Sequence, residues 1–130
     1  MLRPDTISII NQTKGKLPRL PFANIKDKIL GKKYELSIVF LEDKEIKKIN
    51  KKYRGKNKPT NVLSFSLTEN SGEILLAPDV IKKEAPKFGM NIKNFTGFLI
   101  IHGMLHLLGF DHGSTMEAKE EKWKKYFHIK

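Results

Sequence analysis

The sequence predicts an α+β domain of about four strands and about five helices. Three observations carry this. Short runs rich in β-branched and apolar residues are separated by Gly, Pro and Asn, as strands are. A lysine-rich segment places apolar residues at helical spacing. One long stretch, Asn91 to Leu108, is apolar on nearly every face after Phe95, which suits a central, buried helix.

The elements follow in order. Thr6 to Asn11 reads as a short strand, and Gln12 to Pro21, with Gly15, Pro18 and Pro21, as a loop. Phe22 to Leu30 forms a short helix stopping at Gly31. Tyr34 to Leu41 is apolar on both faces, hence a central strand. Asp43 to Arg54 is an amphipathic helix with Ile46, Ile49 and Tyr53 on its inner face and five lysines outside. Gly55 to Asn61 is a basic loop. Val62 to Leu67 and Glu73 to Ala77 are strands joined by a turn at Asn70-Ser71-Gly72. Pro78 opens a helix running to about Lys87. Gly109 ends the long helix in a left-handed cap. Ser114 and Glu117 form a capping box for the last helix, whose inner face carries Met116, Trp123 and Phe127.

At 130 residues, with 39% hydrophobic and 30% charged residues, the chain is expected to be one globular domain, 1–130. The absence of cysteine excludes a disulfide framework, a thiolate zinc finger, an iron–sulfur site and a cysteine nucleophile. It also agrees with a reducing cytoplasm. Met1 to Gln12 lacks the apolar core and cleavage site of a secretory leader. Phe95 to Phe110 is shorter than the roughly 20 apolar residues that span a bilayer and holds two histidines. The expectation is a soluble, cytoplasmic protein. A net charge of +11 favours a polyanionic partner, nucleic acid or anionic membrane. Only Arg3, Arg19 and Arg54 are arginines among the 25 basic residues, and a lysine bias of this kind also arises from genome composition.

Three of the four histidines, His102, His106 and His112, fall within eleven residues. His102 and His106 stand four apart on the predicted helix, so their rings share a face. Gly109 lets the chain turn sharply, which brings His112 back over that face. Three imidazoles converging on one point, at about 2.0–2.1 Å each for zinc, leave a fourth position for water, the arrangement of a catalytic site. Packing or capping accounts for a lone histidine on an apolar helix more readily than for three around a glycine turn. The fourth histidine, His128, reads as a surface residue. The H-x3-H-x2-G-x2-H spacing is shared with metzincin peptidases. Their general-base glutamate is Gly103 here, and neither Asp111 nor Glu117 has that glutamate's place in the motif.

The run from His102 to His112, HGMLHLLGFDH, resembles H-G-x-L-H-L-x-G-(Y/F)-D-H, the mark of the YbeY family of bacterial rRNA maturation factors and metal-dependent endoribonucleases. Tyr53 to Phe65, YRGKNKPTNVLSF, is similar to the family's Y-R-x-K-D-x-P-T-D-V-L-S-F, and Gly72 to Leu76 to its G-D-I-x-I strand. Order and spacing agree over about residues 35 to 125. Two positions depart: Asn61 stands where the family has aspartate, replacing a charge by an amide, and Glu73 lengthens an aspartate.

The resemblance implies a zincin-like fold with a small mixed sheet. It implies one zinc ion held by His102, His106 and His112, with Arg54 as a functional arginine. An arginine there would grip a phosphate bidentately; its position alone favours a solvated helix-end cation, and the matched motif around it reverses that balance. The implied function is a zinc-dependent, single-strand-specific endoribonuclease acting in 3′-end maturation of small-subunit (16S) rRNA and in ribosome quality control. Its implied partners are single-stranded rRNA, the small subunit and associated proteins, with no membrane. Two alternatives stay open: a non-catalytic ribosome-assembly factor with a structural zinc, and a zinc metallopeptidase, which Gly103 opposes. Lys56, Lys58 and the lysines of the preceding helix are candidates to guide an RNA backbone. Tyr53 and Phe65 are expected in the core rather than stacked on bases.

Overall fold

The computed structural model describes residues 6–130. Residues 1–5, where the segment read for a leader begins and Arg3 stands, lie outside the described residues. Among the described residues four strands and five helices follow one another: β1 (Ile7–Asn11), α1 (Phe22–Ile29), β2 (Glu35–Phe40), α2 (Asp43–Arg54), β3 (Val62–Thr68), β4 (Ser71–Leu76), α3 (Pro78–Glu84), α4 (Ile92–Leu107) and α5 (Ser114–Tyr126). A 3-10 turn, Ala85–Phe88, follows α3. Among the described residues no helix is long and apolar enough to cross a membrane.

The strands form one mixed sheet in the order β1-β2-β4-β3. β1, β2 and β4 run parallel, and β3 pairs antiparallel with β4. The inner strands β2 and β4 are buried on both faces, as their unbroken apolar runs require. Alternation then sorts their side chains. Leu36, Ile38, Phe40, Ile74 and Leu76 join the large core with α1 and α4. Val39, Leu41, Leu75 and Ala77 face the other way and pack with Ile46 of α2. Helices thus cover both faces, and β3 is left as a free edge beside α4.

The central helix is buried along most of its length, from Phe95 to Leu105. Close approach to the sheet depends on Gly103: a Cβ there would lie 3.1 Å from Ile74 Cδ1. Asn91 caps the helix by accepting a hydrogen bond from the Asn94 amide at 2.7 Å. At the other end Gly109 adopts φ +97°. The Phe110 amide donates to Leu105 O at 3.1 Å and the Gly109 amide to His106 O at 2.9 Å, a Schellman pair that reverses the chain.

Several local expectations are corrected. The β3–β4 turn is Glu69-Asn70, and β4 starts at Ser71, because Ser71 and Gly72 still pair with Thr68 and Ser66 across a bulge. Ser114 is not a cap. Gly113 occupies that position without a side-chain bond, and the Glu117 amide donates to Gly113 O. Tyr53 is 61% exposed, edge-on to the half-buried Phe65 at 5.3 Å. Asn50 fills the buried position on α2 instead, and its Nδ2 donates to Lys58 O at 2.8 Å, which ties the basic loop to the helix. His128 is exposed, as expected.

Candidate metal centre

The three clustered histidines meet at the end of α4. One nitrogen from each of His102, His106 and His112 lies within 4.8 Å of the others. The helical spacing puts His102 and His106 edge to face, with centroids 4.6 Å apart. The reversal at Gly109 returns His112 to 5.3 Å from each of the other two rings. His102 and His106 are half-buried, and His112 is exposed.

The donor chemistry fits a metal. His102 Nδ1 lies 2.9 Å from Glu120 Oε2. The carboxylate accepts, so Nδ1 carries a proton, and in the neutral ring Nε2 keeps a lone pair for a metal. That Nε2 faces His106 Nε2 at 3.1 Å. Two ligands at about 2.05 Å in a tetrahedral shell stand about 3.3 Å apart, so the pair is already near ligand spacing. His106 has its pKa held below the usual imidazole value, first by burial and then by the neighbouring His102. A hydrogen bond with the Phe110 backbone acts in the opposite sense. The net effect favours the neutral imidazole, the form that ligates.

Glu120 is the residue that sequence reasoning missed. It is 7% exposed, on the face of α5 that also carries the buried Met116. The signal was present: Met116, Glu120, Trp123 and Phe127 share one stripe, and an acid within an apolar stripe needs a partner. The partner is a histidine 18 residues earlier, a separation that periodicity does not report. A carboxylate on the remote nitrogen of a ligating histidine fixes its tautomer and ring orientation.

The histidines open onto a cleft of about 580 Å³ between α4 and β3. Arg54 from the end of α2 lines it, as do Asn61, just before β3, and Ser64 and Ser66 along that edge strand. Arg54 itself is exposed, at the turn where Gly55 takes φ +70°. The described structure therefore brings Arg54 and the three histidines to one cleft. Asn61 Nδ2 donates to Glu84 Oε1 at 2.8 Å, so the amide at this position binds a carboxylate on α3. Asp111 is exposed and lines no part of this cleft, while Glu117 borders a second cavity behind His102 and His112.

Fold and site define a class: an α+β protein with a central buried helix that presents a three-histidine centre, able to hold a metal ion, at the edge of a mixed sheet. The chain belongs to the YbeY family, whose model, described as Endoribonuclease YbeY, matches residues 9–128. It is similar to the Endoribonuclease YbeY of Petrotoga mobilis, 41% identical, with 95% of this chain and 89% of that protein covered. It is 37% identical to the Endoribonuclease YbeY of Bdellovibrio bacteriovorus, over 87% of this chain and 84% of the relative. The solution structure of TM1509 from Thermotoga maritima superposes with a TM-score of 0.60 at 27% identity, covering 90% of this chain and 85% of that one.

Proposed function

We propose that the protein is a zinc-dependent endoribonuclease that cleaves single-stranded RNA, with the 3′ end of small-subunit rRNA on the ribosome as its substrate and the cytoplasm as its place of work. Residues 1–130 act as one domain in this reading. The observation that carries it is the convergence of three imidazoles and one arginine on a single cleft at the sheet edge. Membership of a family described as an endoribonuclease supports RNA as the substrate.

His102, His106 and His112 would hold the ion. Bound zinc supplies Lewis acidity toward a phosphoryl oxygen and lowers the pKa of water. Arg54 grips the scissile phosphate through its planar fork and stabilises the charge that builds on the phosphoryl oxygens. Glu120 holds the His102 ring in its ligating orientation. Ser64 and Ser66 line the floor along β3 and offer hydroxyls to the sugar–phosphate chain. A peptidase reading lacks its base. The position of the metzincin glutamate is Gly103, whose Cβ direction meets Ile74 rather than open space.

The test is cleavage of a labelled single-stranded RNA that copies a small-subunit rRNA 3′ precursor, with His106→Ala purified in parallel. Cleavage by the wild type alone, with stoichiometric zinc in the wild type and none in the variant, is the expected result. Equal cleavage by both, or by neither, overturns the reading in favour of an assembly factor.

A further inference from the structure

Behind the histidines lies a second cavity of about 430 Å³, between α4, α5 and the 3-10 turn. His102 and His112 line both cavities, so the two share a wall. Their chemistry differs. The first contains Arg54 and suits a phosphate. Among the described residues the second has no lysine or arginine in its lining; its acidic groups, Glu117 and Glu120, disfavour a phosphate there, while Lys124 stands just outside, 5.4 Å over the Phe98 ring.

The remaining wall is mainly apolar, with three phenylalanines set beside Val62, Leu99 and Met116. Phe88 stacks on Phe95 at 4.9 Å with 21° between planes, and Phe95 on Phe98 at 6.4 Å and 18°. Phe98 reaches His102 at 6.3 Å. The ladder thus runs from the surface to the metal centre. Phe95 is buried and serves the core, but Phe88 is 60% exposed, an unusual place for so large an apolar ring. Glu117, exposed in the first turn of α5, also lines the cavity. An unpaired base is recognised by stacking on an aromatic face and by hydrogen bonds to its edge. A carboxylate is an acceptor only, so it reads donors: adenine, cytosine and guanine offer an exocyclic amine, where uracil offers only its ring N3–H.

We infer that this second cavity is a nucleobase site: it takes one unpaired base adjacent to the phosphate held at the histidines, stacked on Phe88 and read by Glu117, with a preference for bases bearing an exocyclic amine. The inference rests on the ribonuclease reading for the nature of the substrate. It adds an element that makes an otherwise electrostatic cleft favour unpaired RNA, since a base within a duplex must first be unpaired and unstacked to enter.

The experiment walks a single abasic nucleotide through a short single-stranded RNA. Binding is measured on the 2′-O-methyl form by fluorescence anisotropy, and cleavage on the unmodified form. One position is expected to weaken wild-type binding about 5- to 100-fold when its base is removed. Phe88→Ala is expected to lose a similar factor on intact RNA and to be indifferent to the abasic position. Phe88→Leu, which keeps apolar bulk at the fold's surface, is expected to behave like Phe88→Ala, and Phe88→Tyr like the wild type. Wild-type affinity in Phe88→Ala and Phe88→Leu, or no sensitive position in the wild type, overturns the site. At the sensitive position cytidine is expected to bind several-fold better than uridine, and Glu117→Gln to erase the difference. Equal binding of the two by the wild type removes Glu117 from the site. Failure of the ribonuclease reading is separate: it shows as RNA that binds with an abasic-sensitive position yet is never cut.

Discussion

At Arg54 two roles separate by experiment: a solvated cation at a helix end and a phosphate clamp. Arg54→Lys keeps the charge and loses the planar fork. Under the clamp role both Arg54→Lys and Arg54→Ala retain zinc and thermal stability. Cleavage by Arg54→Ala falls about 10²-fold or more, the usual loss when a donor to transition-state charge is removed. Undiminished cleavage returns the residue to the helix end. His106 makes a second prediction, for metal-free protein. Burial and His102 hold its folded pKa below its unfolded value near 6.5. As pH falls below about 6.5 the unfolded chain takes up the proton first. Stability contributed by this group is therefore complete above that pH and is lost as pH drops through the folded value. Urea melts of the metal-free protein between pH 5 and 8 should show it, with the slope diminished in His106→Gln. The three histidines were legible because their spacing is local. Glu120 was not, since its meaning depends on α5 folding back over α4.

At the scale of elements, the reversal after α4 does two jobs. It closes the helix, and it delivers His112. Gly109 at φ +97° is strained for any L side chain, a left-handed conformation costing roughly 1–2 kcal/mol. Gly109→Ala is expected to destabilise by about that amount in denaturant melts. On the proposed zinc site, affinity should fall with it, because His112 loses its fixed place. Unchanged affinity would mean that His112 finds the metal independently of the turn. The helices and strands of the described residues were readable from periodicity, and the corrected boundaries are instructive. The β3–β4 turn is shorter than composition suggested because Thr68 and Ser71 hydroxyls bond at 2.8 Å and extend the ladder past the polar residues. Tyr53 fell on the predicted inner stripe of α2, yet Asn50 took the buried place, because the loop carbonyl of Lys58 needed a donor. Sheet order was the larger gap. Nothing local in the sequence says that β4 inserts between β2 and β3, and that insertion is what leaves β3 free to wall the cleft.

For the whole molecule the relevant quantity is +11. If lysines track an RNA backbone, affinity for single-stranded RNA falls steeply with salt, with a log–log slope of about −0.7 per phosphate neutralised. A flat dependence would assign the lysines to solubility alone. The charge is arranged about the fold: α2, with its lysines, lies across the sheet from α4, and only its last turn reaches the cleft. The Glu120–His102 contact ties this architecture together. Because the carboxylate lies on α5 and the ring on α4, whatever metal the ring binds also favours the docked position of α5. By reciprocity, an α5 that peels away weakens the metal. On the proposed metal site, the ion and α5 would each stabilise the other's bound position. If the ion binds as proposed, stripping it should lower the local opening energy of α5, which amide exchange with and without metal would show.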